Sequence, residues 1–338
     1  MTDVEAETVS SMERTGIGFN PNLSPAMIAQ YARIAEENNY DSLWVHEQPF
    51  IRDGITLLSS AISSTSRLKL GSGCVSVVTR HPLLASTTFA VLNEMSHGRA
   101  IMGVGLGGFP WLPKIGVDVF PVQQTKPMKR ITEFLQITNG LLNGETVSFD
   151  GEFYKVTGIK LENKPAAKPP IYLATSGPRL LTHASKIADG VIISPALMTP
   201  EVTAEKVELV RKGEKSSRKI DVASYVLANV SNDALKAEAE TKSYYFLVYQ
   251  VAEVLKSETF ASYDLDDEDL AGVREAWRRK DLAAAAKAMP DEVLDALTLT
   301  GKPDHCVERL RDYRKAGVDL PIVMPIGDVN AAIRAFAS

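Results

Sequence analysis

The sequence predicts an α/β fold, a (β/α)8 barrel (TIM barrel) with insertions, from three observations. The chain has 338 residues, a length that one barrel domain can use in full because such domains run from about 200 to over 400 residues. Short apolar segments recur, and each is followed by a segment with helical spacing. About eight such units are present, which favours a closed parallel barrel. A doubly wound open sheet is the alternative, because counting strands does not show closure.

The predicted strands are short runs of apolar and small residues, typical of parallel strands that are buried on both faces. They cover residues 16–20, 42–46, 68–73, 100–104, 170–175, 190–194, 222–230 and 320–325. In a parallel barrel the ligand site is formed by the loops that follow the carboxyl ends of the strands. Functional residues are therefore expected directly after each strand.

The segment 80–108 combines a helix, a turn, a strand and a glycine-rich loop. Pro82 suits the first turn of a helix, where its missing N–H is not needed. Gly98 ends that helix, and the apolar run of residues 100–104 is short enough for a buried parallel strand. The helix itself is predicted from an apolar stripe at helical spacing, formed by Ala85, Phe89, Leu92 and Met95.

The loop after this strand contains a G-x-G-x-x-G pattern from Gly103 to Gly108. In dinucleotide-binding folds that motif requires a helix that opens at the loop and an acidic residue about 20 positions later. Here Pro110 and Pro113 interrupt the next segment, and the chain reads Lys-Pro-Met-Lys-Arg around residue 128. The pattern therefore favours a glycine loop that lets the backbone approach another ligand.

One barrel domain is predicted over residues 15–338, after a flexible tail over residues 1–14. Two insertions interrupt the alternation, at about 109–168 and 233–290. In the first, Asp150-Gly151 between alternating residues predicts a β-hairpin.

Composition restricts the partners and the compartment. A net charge of −5 leaves no general basic face, so nucleic acid is not an expected partner. Neither a run of about 18 apolar residues nor a basic start followed by an apolar stretch is present, so no membrane segment or secretory leader is expected. Cys74 and Cys306 form no metal-ligand spacing. A disulfide between them is the alternative, but a reduced, cytoplasmic protein without a metal site is the simpler interpretation.

His46 and Glu47 follow the second strand and are the candidate catalytic residues. Histidine titrates near neutral pH, and a buried glutamate can accept hydrogen bonds or protons. Neighbouring residues of a strand point to opposite faces, so only one of the two is expected to face the pocket. A structural role is the alternative, because a lone polar residue at a strand end is more often structural.

The loop after the fifth predicted strand is a candidate phosphate site. Gly177 and Pro178 start a helix there, which leaves free N–H groups at the positive end of the helix dipole. Ser176 and Ser194 are available as further donors. An ordinary connection between strand and helix is the equal alternative when this loop is considered alone.

Several segments together are similar to one known family: Gly16–Pro21, Asp41–Val45, Leu68–Gly73, 80–108, Leu142–Tyr154, Ile171–Ala174, Ala188–Ile193 and Arg314–Asp319. Over nearly its whole length the chain resembles the luciferase-like flavin and deazaflavin oxidoreductases, most closely the methylenetetrahydromethanopterin reductase branch, which uses coenzyme F420. The resemblance implies a (β/α)8 barrel with insertions that forms a homodimer or, as a dimer of dimers, a homotetramer.

The resemblance also implies that the deazaflavin lies at the carboxyl ends of the strands. Its phosphate would lie near Gly177 and Pro178. Its ring would lie against the third strand, where relatives often have a cis non-proline bond that maps onto Gly73–Cys74. The implied cofactor-binding residues are Glu47, Gly73, Cys74, Val75, Ala174, Thr175, Ser176, Gly177, Pro178 and Ser194.

The chain departs from the family pattern at several positions. Many deazaflavin relatives have Asp-His after the second strand, where this chain has Glu47-Gln48, so an acid is retained but the histidine is lost. The methanopterin reductases place acids in the first strand and after the fourth-strand glycine loop, at the positions held here by Gly18 and Gly108. The cofactor half therefore matches the family, while the substrate half differs from it.

These observations predict an F420-dependent oxidoreductase that transfers a hydride between the deazaflavin C5 and a small organic substrate. Glu47 and His46 would orient the ring and handle its proton. The alternatives are a flavin mononucleotide (FMN)-dependent luciferase-like monooxygenase and a non-catalytic cofactor-binding homologue. Monooxygenases of the wider family tend to have an arginine in the fourth-strand loop, and its absence from residues 105–107 favours the deazaflavin.

Overall fold

Eight parallel strands close into a barrel. The structure, a computed structural model, describes residues 13–48, 50–107, 112–117, 126–193, 197–214 and 219–337. Its strands are β1 (Gly16–Phe19), β2 (Ser42–Val45), β3 (Lys69–Ser72), β4 (Val75–Ser76), β5 (Ala100–Gly105), β6 (Val147–Asp150), β7 (Lys155–Ile159), β8 (Ile171–Thr175), β9 (Gly190–Ile193), β10 (Asp221–Val230), β11 (Thr298–Gly301) and β12 (Leu320–Pro325). The barrel runs β1, β2, β3, β5, β8, β9, β10 and β12. Pairing of β12 with β1 closes it, so the predicted closed barrel is confirmed and the open sheet is wrong.

Helices alternate with the barrel strands. They are α1 (Pro25–Glu37), α2 (Gly54–Ser59), α3 (Pro82–Met95), α4 (Pro127–Leu142), α5 (Pro178–Ile187), α6 (Pro200–Lys212), α7 (Ala234–Lys242), α8 (Tyr245–Tyr249), α9 (Ala271–Arg278), α10 (Leu282–Ala288), α11 (Asp291–Leu297), α12 (Pro303–Lys315) and α13 (Val329–Ala335). The helix predicted to begin at Pro82 is α3. His81 caps it by accepting the Leu83 N–H at Nδ1, at 3.2 Å.

The third predicted strand ends at Ser72, and two strands, β4 and β11, were not predicted. β3 ends at Ser72, the Gly73–Cys74 peptide bond is cis, as the family resemblance implied, and β4 follows beside β5. β11 pairs with the carboxyl-terminal part of β10, outside the circle of eight. Its four residues, Thr-Leu-Thr-Gly, contain one large apolar side chain, which is too weak a pattern to predict a strand.

Ion pairs join the amino-terminal ends of the barrel strands. Arg14 Nε lies 3.1 Å from Asp41 Oδ1, and Arg14 Nη2 lies 2.9 Å from Asp221 Oδ2. The Tyr172 hydroxyl donates to the same Asp221 carboxylate. Residue 14 belongs to the predicted flexible tail but is fixed to the barrel by these contacts. Residues 1–12 of that tail lie outside the described part of the chain.

Side chains at alternate strand positions fill the barrel interior. They form a buried cluster together with apolar residues of α8 to α11, and the strand members of the cluster include Trp44, Ile101, Tyr172, Ile192, Tyr225 and Ile322. The intervening strand residues pack outward against the helices. The interior is therefore a packed core, and the space for a ligand is at the carboxyl ends of the strands.

The first predicted insertion contains α4 and the predicted hairpin, β6 paired with β7. Glu133 of α4 accepts the backbone N–H groups of Glu152, Phe153 and Tyr154. The Tyr154 hydroxyl donates to the Val77 carbonyl, so the hairpin braces the segment that follows β4. The second insertion contains α7 to α10 and ends just before α11. The limits of the domain and of both insertions stay predictions.

Cys74 and Cys306 carry free thiols, so the disulfide that the sequence left open is not formed. Within the described ranges, no helix has the length and apolar character to cross a membrane. The same part of the chain contains no group of three or more His, Cys, Asp or Glu side chains placed to hold a metal ion.

Candidate active site

His46 and Glu47 leave the carboxyl end of β2 in different directions. His46 continues the alternation that places Trp44 in the barrel interior, and its ring packs against Tyr225 of β10. Glu47 turns instead toward Arg80, on the segment between β4 and α3. The two candidate catalytic residues therefore have separate surroundings and separate chemical properties.

His46 and Tyr225 form an edge-to-face pair with ring centroids 4.6 Å apart. His46 Nε2 and Tyr225 Oη are both buried and have no hydrogen-bond partner among the described residues. Burial lowers the pKa of His46 to about 4. Burial, and then the proximity of Cys74, raises the pKa of Tyr225. At neutral pH the pair is therefore a neutral imidazole beside a protonated phenol.

Two glycines provide the space that Tyr225 occupies. A Cβ atom on Gly73 would lie 1.8 Å from Tyr225 Oη, and a Cβ atom on Gly18 would lie 2.9 Å from Tyr225 Cε1. A side chain at either position would displace the tyrosine ring. Position 18, where the methanopterin reductases are expected to have an acid, is therefore filled by an aromatic ring from β10.

Glu47 is held through one of its two carboxylate oxygens. Arg80 Nε and Nη2 lie 2.7 and 2.5 Å from Glu47 Oε1. The other oxygen, Oε2, is buried and has no partner among the described residues. Arg80 also contacts Asp53, which caps α2 by accepting the Thr56 N–H at 2.7 Å. The carboxylate is thus oriented by a cation and keeps one oxygen available.

Cys74 lies between Glu47 and β5. A Cβ atom on Gly105 would lie 2.6 Å from Cys74 Sγ, so glycine at position 105 leaves room for the sulfur. Burial, and then the negative charge of Glu47, raises the pKa of the Cys74 thiol to about 12. The thiol is therefore protonated at neutral pH and is not suited to act as a nucleophile.

The end of β5 brings the predicted cofactor residues of two loops together. Val75 of β4 pairs with Val104 on one side, and Ala174 of β8 pairs with Gly105 on the other. β4 and the loop after β8 therefore border the same strand end.

The loop after β8 offers backbone donors. α5 begins at Pro178 with Gly177 as its N-cap, and no side chain caps it. The Gly177 N–H donates to Thr175 Oγ1 at 3.2 Å, and Lys206 donates to the Ser176 carbonyl at 3.3 Å. The start of α5 is thus compatible with an anion, although Thr175 already occupies the Gly177 amide. Ser194, a further predicted donor, lies outside the described residues.

Comparison with known proteins decides the family. Residues 7–320 match the family model described as luciferase-like monooxygenase. The chain belongs to this family.

Similar luciferase-like proteins include enzymes with different substrates. A 5,10-methylenetetrahydromethanopterin reductase of Archaeoglobus fulgidus is 30% identical over 319 residues, which cover 92% of this chain and 93% of the relative. An F420-dependent glucose-6-phosphate dehydrogenase of Nakamurella multipartita is 27% identical over 306 residues, which cover 87% and 84%. The coenzyme F420-dependent tetrahydromethanopterin reductase of Methanopyrus kandleri has a similar structure, with a TM-score of 0.86, 26% identity and coverage of 96% and 97%.

Sequence reasoning missed three residues of this luciferase-like site. Arg80 directly precedes the helix start at His81-Pro82, but a helix start does not reveal which carboxylate an arginine contacts. Asp53 could have been identified as the N-cap of α2, because it is followed by Gly54 and an apolar run. Tyr225 lies in a predicted strand, and alternation along that strand could have placed it in the barrel interior.

Proposed function

We propose that the chain is an oxidoreductase that uses coenzyme F420 and transfers a hydride between this deazaflavin and a small organic substrate. Its relation to F420-dependent enzymes over nine-tenths of its length carries the proposal. When bound, the deazaflavin supplies the hydride chemistry, at its C5 atom, and the protein supplies binding, orientation and proton handling.

Three unpaired polar atoms fit a polar planar cofactor. Glu47 Oε2, His46 Nε2 and Tyr225 Oη are buried without partners in the described ranges. Buried polar groups are nearly always hydrogen-bonded, so a bound ligand that supplies the missing partners accounts for these three atoms. In the proposal Glu47, Gly73, Cys74 and Val75 hold the ring, while the loop from Ala174 to Pro178, with Ser194, holds the phosphate.

His46 and Glu47 divide the proton handling in this proposal. His46 is neutral at physiological pH because burial lowers its pKa to about 4, so its unprotonated nitrogen accepts a hydrogen bond from the ring, and it takes up a proton only when a bound group raises that pKa. Glu47 is paired with Arg80 and accepts hydrogen bonds through Oε2. The substrate itself stays open, because the relatives act on a methanopterin and on a sugar phosphate, and Gly18 leaves no acid in β1.

Titration with purified F420 tests the cofactor assignment. We expect saturable quenching of the cofactor fluorescence with a Kd of about 1 μM or lower, and weaker binding of FMN in a parallel titration. Saturable binding of FMN without binding of F420 would make the monooxygenase the correct assignment. Turnover with a panel of alcohols, sugar phosphates and imines then separates an enzyme from a non-catalytic homologue.

We also propose a homodimer, or a homotetramer built from it, with α3 at the interface. Leu84, Val91 and Met95 lie on one face of α3 and are 63%, 48% and 52% exposed. Light scattering coupled to size exclusion should show a dimer or tetramer that the pair Leu84→Lys and Val91→Lys dissociates. Leu235→Lys, at another exposed leucine, is the control. A monomeric wild-type protein, or an assembly that survives both lysines, contradicts this interface.

A cytoplasmic location is part of the proposal. The two free thiols agree with a reducing compartment, where disulfides are rare.

A further inference from the structure

Arg80 lies between two carboxylates at the carboxyl end of the barrel. Its Nε and Nη2 atoms lie 2.7 and 2.5 Å from Glu47 Oε1, and Nη2 also contacts Asp53. The side chains of Arg80 and Glu47 are 24% and 9% exposed, so water screens this ion pair only weakly. The contact is therefore a fixed part of the site and differs from a mobile surface ion pair.

This contact sets the direction of the Glu47 carboxylate. A guanidinium group is planar, and two of its N–H groups directed at one oxygen define where the carboxylate lies. The second oxygen, Oε2, is buried and has no partner among the described residues. A buried carboxylate oxygen without a hydrogen bond is unfavourable, so a ligand that donates to Oε2 accounts for its position.

Arg80 is itself anchored, and a neighbouring arginine offers a comparison. Asp53, which Arg80 contacts, is fixed as the N-cap of α2. Arg52 lies beside it in the same loop and donates to the carbonyls of Pro21 and Asn22, at 3.2 and 2.9 Å. Arg52 thus fastens this loop to the end of β1 through contacts that do not involve Glu47.

We propose that Arg80 is a positioning residue of the active site, which holds Glu47 by Oε1 so that Oε2 is presented to the bound deazaflavin. The identity of that ligand rests on the proposed function. Arg80 acts through Glu47 and does not itself touch the cofactor. Lysine supplies the charge without the planar pair of donors, so it restores part of the effect.

A double-mutant cycle with F420 as the probe tests this role. Fluorescence titration should show a Kd raised about tenfold in Arg80→Gln and about threefold in Arg80→Lys, because Glu47 is no longer fixed. Arg52→Gln, the matched control, should change the Kd less than about twofold. In a Glu47→Gln background, Arg80→Gln should also change it less than about twofold, because the carboxylate that it positions is absent.

The Cys74 thiol gives a second measurement that needs no cofactor. The negative charge of Glu47 contributes to the raised pKa of this thiol. Glu47→Gln removes that charge and should lower the pKa, increase the thiolate fraction and speed alkylation by iodoacetamide. Arg80→Gln should change the alkylation rate only while Glu47 carries its charge. The double variant should react at the rate of Glu47→Gln alone. Peptide mass spectrometry separates Cys74 from Cys306, which serves as the internal control.

Two results overturn the proposal. One is an Arg80→Gln variant that behaves like Arg52→Gln in both measurements. The other is an Arg80→Gln effect that is equally large when Glu47 is absent. A wild-type protein that does not bind F420 overturns the proposed function instead, and the rate of Cys74 alkylation then decides the role of Arg80 by itself.

Discussion

Gly73→Ala is expected to lower the free energy of unfolding by at least about 2 kcal/mol, because it overpacks the barrel interior. The new Cβ atom would lie 1.8 Å from Tyr225 Oη and 3.0 Å from Tyr225 Cζ. Tyr225 is only 6% exposed and packs against His46, so the ring has little room to move away. Urea denaturation measures the change.

Two further variants make this prediction specific. Gly177→Ala places a Cβ atom 3.8 Å from its nearest neighbour, at an ordinary φ of −71°, and should leave the stability nearly unchanged. Tyr225→Phe removes the unpaired hydroxyl, so it should not destabilise the free protein and should recover much of the loss in the Gly73→Ala background. Equal stabilities of Gly73→Ala and Gly177→Ala would contradict the prediction, because they would show that Tyr225 leaves enough room for a Cβ atom at position 73.

Glu47→Gln is expected to raise the Kd for F420 by about 10- to 100-fold. The substitution keeps the shape of the side chain and removes its charge, and a hydrogen bond to a charged group contributes about 1.5–3 kcal/mol. Arg80 keeps Asp53 as a partner in this variant, so the fold should remain intact. Fluorescence titration gives the Kd, and thermal unfolding without cofactor gives the stability.

The matched control is Glu36→Gln, at the opposite end of the barrel. Glu36 accepts the backbone N–H groups of Ser66, Arg67 and Leu68 before β3, and its loss should reduce stability without changing the Kd. The reverse pattern in Glu47→Gln, an unchanged Kd with a melting temperature several degrees lower, would give Glu47 a structural role. His46 would then be the better candidate for contact with the ring.

The barrel was predictable because its signal is local. An apolar run such as residues 100–104, followed by helical spacing, predicts one β/α unit wherever it occurs, and eight such units suggest closure. Closure itself depends on the pairing of Gly16 with Ile322, which no local pattern contains. β11 was missed because its burial comes from α7, α11 and α12 packed around it, and its own sequence alternates only weakly.

The site was predictable where a strand end carries an unusual side chain, as at His46 and Glu47. The partners of these residues come from distant segments, because Arg80 lies 33 residues after Glu47 and the ring of Tyr225 reaches His46 across the barrel. Such contacts depend on which side chains meet inside the closed barrel, and no local sequence pattern specifies those meetings. The cis bond at Gly73–Cys74 was expected only from the family resemblance, since glycine at position 73 merely permits it.

Because β12 closes the barrel, the barrel stays incomplete until β12 has been synthesised. β12 is the last barrel strand to leave the ribosome, and it supplies the missing neighbour of both β1 and β10. Until then a nascent chain that has already formed the other strands has two open sheet edges, which invite pairing with other chains. A message truncated before codon 320 would yield a polypeptide that contains every proposed cofactor residue and yet has a barrel that cannot close, a natural target for cellular quality control.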